Sequence, residues 1–124
     1  LGEVVGDAMA QSLTLVDGLA VIGGGISGAA PLFLHALLAE LNSTYSSPDG
    51  TKCPRLTAAV FNLDDARQRR KFLKGSTREI LVPGTRRKVK YDLVQRIGIS
   101  MSRLGTSEAV AIGAYAFALQ KLDQ

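Results

Sequence analysis

The amino-acid sequence predicts an α/β fold that forms a single domain over residues 1–124. Segments with the apolar spacing of amphipathic helices alternate along the chain with short apolar runs typical of strands. A chain of 124 residues that is 46% hydrophobic can bury a sizeable core without a disulfide or a metal. We therefore expect a short parallel or mixed sheet with flanking helices and one exposed β-hairpin.

The first third of the chain is predicted to form a helix, a strand and a second helix. Helical spacing predicts the two helices over about 3–15 and 29–42, with Pro31 in the first turn of the second. Between them, Leu19–Ile22 is an unbroken apolar run, which predicts a parallel strand covered on both faces. The stripe of the first helix is Val5, Ala8, Met9, Leu13 and Val16. That of the second helix is Phe33, Leu34, Leu37, Leu38 and Leu41.

The middle of the chain is predicted to form a polar loop, a strand and a third helix. Residues 43–54 are rich in Ser, Pro, Asp and Gly, which is typical of a loop. The β-branched and aromatic content of Arg55–Phe61 predicts a strand. Acidic and amide side chains that can cap a helix follow it, and the third helix is expected to end at Gly75. These capping candidates are Asn62, Asp64 and Asp65.

Beyond Gly75 the sequence predicts extended structure and a final helix. Thr77–Val82 and Arg87–Tyr91 are joined by Pro83-Gly84-Thr85-Arg86, which is typical of a hairpin and predicts an exposed ribbon. Leu93–Ser100 is expected to continue this ribbon, with an interruption at Gly98. The C-terminal helix begins near Thr106 and Ser107, which can cap it. Its apolar stripe is Ala111, Ala114, Tyr115, Ala118, Leu119 and Leu122.

Composition and charge exclude several function classes. Cys53 and His35 are the only residues of their types, so the chain has no disulfide framework, no zinc cluster of its own and no paired Cys/His machinery. The single cysteine suits a reducing, cytoplasmic compartment. No apolar run approaches the roughly 20 residues of a membrane span. The first residue is not Met, and we expect the chain to be part of a longer protein.

Positive charge is concentrated in one segment. Residues 67–90 hold ten Lys/Arg against Glu79 alone, a local charge of +9, whereas the rest of the chain carries −5. Such a segment either contacts phosphates of a nucleic acid or forms a solvated helix and hairpin. Base stacking would need aromatic residues among the charges, and Phe72 is the only one, at a position suited to anchoring the third helix. Nucleic-acid binding is therefore not the expected function.

The stretch with chemical content is the glycine-rich turn at residues 23–28, GGGISG. It follows a predicted buried strand and precedes a helix, a place where bare main chain and free amides accept a phosphate or a nucleotide edge. The turn matches G-x-G-x-x-G, so a Rossmann site for FAD or NAD is one alternative. That site needs an acidic residue about 20 positions later, at the end of the second strand. Glu40 lies within the second helix and Asp64 is too distant, while a turn without a ligand remains a further alternative.

The segments around this turn resemble a known family. Residues 6–18 (GDAMAQSLTLVDG) and 19–27 (LAVIGGGIS) resemble the adenosine-binding segment of ROK-family sugar kinases and glucokinases. Residues 104–116 (LGTSEAVAIGAYA) are similar to the family's C-terminal helix. The resemblance covers the C-terminal third of such a kinase. It implies the C-terminal part of a ribonuclease H-like, actin-like ATPase domain.

The resemblance also implies a function. It places Gly23, Gly24, Gly25 and Ser27 next to the adenosine of ATP, with Ile26 as an apolar contact. The family's catalytic aspartate, phosphate loops and sugar-binding residues lie upstream, so this chain is expected to hold no catalytic or metal-binding residue. The full-length parent would phosphorylate a hexose with ATP and Mg²⁺, in the cytoplasm and away from membranes, with a homodimer as one possible assembly. A sugar-responsive ROK repressor is the alternative within the family, and the chain alone should be inactive.

The remaining candidate side chains are expected to be structural. His35 lies among leucines of the second helix, and Cys53 lies beside Pro54 in the polar loop. Asp7 and Asp17 have no second carboxylate at metal-binding spacing. Tyr45 follows the second helix, where tethering is the expected role.

Overall fold

The computed structural model describes residues 1–122 of the chain. Among these residues, four α-helices and seven strands alternate along the chain, with one short 3-10 helix at Ser27–Ala29. No helix of the described residues combines the length and the apolar character that crossing a bilayer requires. The helices are α1 (Gly2–Leu15), α2 (Ala30–Leu41), α3 (Ala66–Lys74) and α4 (Thr106–Leu122). The strands are β1 (Ala20–Ile22), β2 (Thr44–Ser46), β3 (Lys52–Pro54), β4 (Ala59–Asn62), β5 (Thr77–Leu81), β6 (Lys88–Asp92) and β7 (Arg96–Met101).

A three-stranded parallel sheet forms the centre of the fold, in the order β1-β7-β4. Ile22 pairs with Met101 on one side of β7, and Asn62 pairs with Ile99 on the other. The predicted α/β class with a short parallel sheet and flanking helices is therefore confirmed.

The core lies between one face of this sheet and helices α1 and α2. Its most buried side chains are Leu37 and Leu41 of α2 and Ile97 and Ile99 of β7, each at most 2% exposed. Phe33 and Val60 extend the same cluster. The apolar stripe predicted for the second helix is confirmed, because its residues are buried or half-buried.

Small residues bring α1 and α2 into close contact. Gly2, Gly6 and Ala10, spaced by four along α1, are its buried residues. A Cβ atom on Gly6 would lie 2.8 Å from the Cβ of Glu40 in α2. The predicted stripe is only partly right, because Val5, Met9 and Leu13 are half-buried against the core whereas Ala8 and Val16 are exposed. The face that carries the glycines lies closest to α2.

The prediction that the first strand is covered on both faces is wrong. β1 lies at the edge of the sheet, and its central residue, Val21, is 65% exposed. Leu19, immediately before it, is also largely exposed. One face of β1 packs on the core through Ala20 and Ile22, while the other has no covering layer among the described residues.

Residues 43–54 are not wholly a loop. β2 and β3 form a short antiparallel hairpin in which Tyr45 pairs with Cys53, closed by a turn with Gly50 at φ +83°. The strand expected over Arg55–Phe61 begins later, at Ala59, where pairing with β7 starts. The loop prediction is wrong for β2 and β3, and the strand predicted over Arg55–Phe61 is present but begins later, because short strands depend on their pairing partners.

The basic segment forms α3 and the β5–β6 hairpin, as predicted. Asp65 caps α3, its carboxylate accepting a hydrogen bond from the amide of Gln68 at 2.7 Å. Phe72 anchors α3 by edge-to-face packing on Phe61, with the ring centroids 6.0 Å apart. The hairpin is exposed along most of its length and turns at Gly84, which has a φ of +75°.

The prediction that Leu93–Ser100 continues the exposed ribbon is wrong. Arg96–Met101 instead forms β7, the central strand of the parallel sheet. Gly98 does not interrupt this strand. A Cβ atom there would lie 2.5 Å from Leu63 and 2.8 Å from Leu19, so glycine makes room for the side chains that flank the central strand on its second face.

The predicted C-terminal helix is present and spans Thr106–Leu122 within the described residues. Every residue of α4 is exposed, including the apolar stripe. Tyr115 is 68% exposed and Phe117 62% exposed, although they lie on different faces of the helix. The described part of the chain therefore offers this apolar helix no surface to pack on.

Candidate functional site

Three loops meet at one edge of the parallel sheet. Because β1, β7 and β4 run in the same direction, their last residues Ile22, Met101 and Asn62 lie at the same edge. Ligands of open α/β sheets bind in the crevice at the carboxyl ends of the strands. The loops that follow these three strands therefore form the candidate site.

The loop after β1 is the glycine turn, defined here as residues 23–27. Gly24 has a φ of +101°, a left-handed conformation that side chains disfavour. Ser27 closes the turn, since its amide and its hydroxyl both donate to the carbonyl oxygen of Gly24, at 3.1 Å and 2.6 Å. The 3-10 helix and α2 follow directly, as expected for a strand–turn–helix anion site.

The outer side of the glycine turn is open. A Cβ atom on Gly24, Gly25 or Gly28 would have no heavy atom within 4 Å, and Ile26 is 61% exposed. The amides of Gly25 and Ile26 donate to no acceptor in the described part of the chain. Bare main chain and free donors are thus accessible to a planar ligand lying against the turn.

The loop after β7 lies against the start of the glycine turn. The amide of Ser102 donates to the carbonyl oxygen of Ile22 at 2.7 Å, which extends the pairing of β7 with β1 by one residue. A Cβ atom on Gly23 would lie 3.2 Å from the Cβ of Ser102. Gly23 therefore has a packing reason to be small, unlike the open positions 24 and 25.

The loop after β4 contributes Asp64, whose role the sequence did not indicate. Asp64 was expected to help begin the third helix, but its carboxylate points across the sheet edge to the end of β7. It accepts hydrogen bonds from the Ser100 hydroxyl at 2.9 Å and from the Met101 amide at 2.8 Å. These partners lie 36 and 37 residues further along the chain, so no local pattern in the sequence could have revealed them.

A cluster of charged residues lies away from this edge. Arg55 forms an ion pair with Asp7 of α1, and its Nε lies 3.9 Å from a carboxylate oxygen of Glu40 in α2. A surface depression of about 220 Å³ beside Arg55 is lined by Tyr45 and by α1, and no glycine-turn residue lines it. The cluster joins three segments of the chain, which agrees with the structural role expected for Asp7.

The other candidate side chains are not brought together. His35 is exposed on α2, Cys53 is half-buried in β3, and Asp17 is exposed after α1. Within residues 1–122, no three His, Cys, Asp or Glu side chains are grouped closely enough to hold a metal ion.

Among the described residues, the carboxyl groups of Asp49 and Asp92 have lowered pKa values, and both lie outside the glycine turn. A hydrogen bond from Arg96 is the main cause that holds the pKa of Asp92 below its ordinary value, with further bonds from the amides of Val94 and Ser76. The Thr51 amide lowers the pKa of Asp49 in the same way. The Asp49 shift reflects a local turn, and the Asp92 shift reflects hydrogen bonds that hold the base of the β5–β6 hairpin.

The basic segment offers little for base stacking. Its one aromatic ring, Phe72, packs on Phe61. Among the described residues, the single ion pair of this segment joins Lys88 and Glu79 at 4.0 Å, so most of its charges face solvent. The segment has the character of a solvated helix and hairpin.

Comparison with known proteins identifies one informative relative. The chain is similar to a glucokinase from Parabacteroides distasonis ATCC 8503, known from a crystal structure at 3.00 Å, with 45% sequence identity and a TM-score of 0.74. The similarity covers 97% of this chain and 32% of that glucokinase, so the chain spans about a third of its relative's length. No protein-family model and no curated protein matches the chain. The predicted resemblance is confirmed: over nearly its whole length, the chain is glucokinase-like in sequence and in fold.

Proposed function

We propose that residues 1–124 are the C-terminal, nucleotide-side part of a ROK-family sugar kinase, with a ribonuclease H-like, actin-like ATPase fold. In the complete protein, the γ-phosphoryl group of ATP would pass to a hexose hydroxyl. The observation that carries this proposal is the open glycine turn at the carboxyl edge of the sheet, in a chain 45% identical to a glucokinase. This similarity does not favour a Rossmann site for FAD or NAD.

The glycine turn would accept the adenosine of ATP. Gly24 and Gly25 present open main chain without side chains, which allows a purine and ribose to approach closely, and Gly23 begins the same turn against Ser102. Ile26 supplies an exposed apolar contact. Ser27 holds the turn in shape through its two hydrogen bonds to the Gly24 carbonyl.

The rest of the kinase would cover the exposed apolar surfaces. A helix that is apolar on all sides is stable in water only when a larger protein buries it. α4 has this character, and the bare face of β1 lies on the same small domain. The glucokinase relative contains about two thirds of its chain beyond the region matched here. That additional polypeptide is the covering surface that we propose for α4.

The catalytic groups would come from the other part of the kinase. Mg²⁺ bridges the phosphates of ATP in such reactions and neutralises charge that develops during transfer. Its ligands are assigned to the upstream residues, since the carboxylates of the glycine-turn edge are engaged in protein hydrogen bonds. This chain would position the nucleotide. We therefore expect purified chain to show no glucose-dependent ATP turnover, and robust phosphorylation by it would contradict the proposal.

A leucine at Gly25 tests the site directly. Gly25 has open space around a Cβ atom and no positive φ, so Gly25→Leu should leave the free energy of unfolding within about 0.5 kcal/mol of wild type. The added side chain fills the space that we assign to adenosine. Affinity for ADP, measured by competition with a fluorescent ATP analogue, should fall about tenfold or more.

Gly18→Leu is the matched control. Gly18 also has open space and no positive φ, but it precedes β1 and lies away from the carboxyl edge. It should bind ADP as wild type does. Equal ADP affinity of Gly25→Leu and wild type would contradict the proposed site. Binding of NAD in place of ADP would contradict the proposed ligand.

A further inference from the structure

Asp64 joins the loop after β4 to the end of strand β7 at the carboxyl edge. One carboxylate oxygen accepts from the Ser100 hydroxyl at 2.9 Å, and the other accepts from the Met101 amide at 2.8 Å. The amide of Asp64 donates to the side-chain oxygen of Asn62 at 2.9 Å, which holds the start of the loop. Both carboxylate oxygens are therefore occupied by donors from β7.

The segment that Asp64 holds is in contact with the glycine turn. Met101 is followed by Ser102, whose amide donates to the carbonyl oxygen of Ile22 at 2.7 Å. A Cβ atom placed on Gly23 would lie 3.2 Å from the Cβ of Ser102. Any movement at the end of β7 would therefore shift the first residue of the turn. The contacts run without a gap from Asp64 through Met101 and Ser102 to Gly23.

Asp65, the next residue, has a separate role. Its carboxylate accepts the amide of Gln68 and caps α3. Two adjacent carboxylates thus serve different elements: Asp65 begins a helix, and Asp64 crosses to another strand. One side chain is enough to cap the start of a helix, and Asp65 provides it for α3. Capping therefore does not explain the conformation of Asp64.

We propose that Asp64 is a positioning residue for the nucleotide site, holding the end of β7 against the glycine turn. This inference rests on the proposed function, because it concerns the same turn. Asp64 acts through Met101 and Ser102 and is not assigned any contact with the nucleotide. Loss of the Asp64 carboxylate should weaken ADP binding because the position of Gly23 would be less firmly held. The rest of the sheet should stay folded.

The test compares Asp64→Ala, Asp64→Asn and Asp65→Asn in the 124-residue chain. Asp64→Ala removes both acceptors, so amide hydrogen exchange at Met101 should speed up about tenfold and ADP affinity should fall about tenfold. Asp64→Asn should retain most of the affinity, since its oxygen can accept from Met101 and its amide can donate to the Ser100 hydroxyl. Asp65→Asn removes the same charge one residue away and keeps a capping acceptor, so both readouts should stay at wild-type values.

The outcomes separate this inference from the proposed function. If wild-type chain binds no ADP, the proposed function fails and the inference fails with it, whatever happens at the Met101 amide. If wild type binds ADP and Asp64→Ala binds it equally well, only the inference is wrong. If Asp64→Ala does not fold, Ser100→Ala decides, because it removes one of the two hydrogen bonds. A loss of ADP affinity in Ser100→Ala supports the inference, and unchanged affinity overturns it.

Discussion

Gly6→Ala and Gly113→Ala are the same substitution in two helices, and the structure predicts opposite effects. In a helix interior, alanine is more favourable than glycine by about 1 kcal/mol of free energy. Gly113 lies in exposed α4 with nothing within 4 Å of a Cβ atom, so the helical gain meets no steric cost there. Gly6 lies in the contact between α1 and α2, where steric repulsion from α2 opposes the helical gain.

The steric cost at Gly6 follows from two distances. An alanine Cβ would lie 2.8 Å from the Cβ of Glu40 and 3.0 Å from the carbonyl oxygen of Leu37, both part of helix α2. The helices must separate by roughly half an ångström to reach ordinary contact, which loosens the fully buried Leu37. Overpacking of this kind costs about 1–3 kcal/mol. After the helical gain, we expect a net destabilisation of about 0–2 kcal/mol.

Gly6→Val makes the prediction sharper. Valine forfeits most of the helical gain and adds two methyl groups at the same contact, so the loss should reach about 3 kcal/mol. The assay is urea unfolding followed by circular dichroism at constant pH. Gly113→Ala should raise the helical signal and should not lower the free energy of unfolding. If Gly6→Ala stabilised the chain as Gly113→Ala does, α1 and α2 would not be packed as closely as described.

Three further predictions concern the core and the hairpin. Leu37→Ala should lower the free energy of unfolding by about 2–5 kcal/mol in the same urea assay, because Leu37 is fully buried in the core. Gly75→Ala should lower it by about 1–3 kcal/mol, since Gly75 has a φ of +70° and a ψ of −173°, a region nearly reserved for glycine. The folded-state pKa of Asp92 lies below the ordinary value of 3.8, so its contribution to stability is complete above that value and disappears as pH falls through the folded pKa. Asp92→Asn should therefore show a shallower loss of stability than wild type between about pH 5 and pH 2.

Helices and turns could be predicted from the sequence because their signals are local. The spacing of Phe33, Leu37 and Leu41 predicted α2 and its buried face, and both agree with the structure. Pro83-Gly84 predicted the turn between β5 and β6, where Gly84 does adopt a positive φ. In each case, neighbouring residues alone determine the conformation.

Strand order could not be predicted because it depends on distant pairing. β7 was assigned to the exposed ribbon since it follows β6 directly, yet it pairs with β1 and β4 in the centre of the sheet. Gly98 suggests an interruption from the sequence alone, because nothing nearby indicates that Leu63 and Leu19 occupy the space beside it. The apolar run of β1 predicted two covered faces, and the described chain supplies a cover for only one.

The sequence indicated the part of the candidate site whose signals are local and missed the part that depends on strand pairing. The glycines that follow a strand and precede a helix indicated the turn, and the structure places them at the carboxyl edge with open space outside. Asp64 could not be assigned to this edge, because its partners come from β7, whose position in the sheet was itself mispredicted. Its neighbour Asp65, whose partner is three residues away, was predicted correctly as a helix cap.

The most direct measurement is a titration of ¹⁵N-labelled chain with ADP, followed through backbone amide resonances. A bound adenosine should change the amide chemical shifts of Gly23–Ser27 and Ser102 most strongly. The amide chemical shifts of the β5–β6 hairpin should stay unchanged. Saturation at about millimolar ADP would suit a site completed by the remainder of a kinase. If ADP shifted the basic hairpin and α3 while the amides of Gly23–Ser27 stayed in place, the glycine turn would not be the nucleotide site.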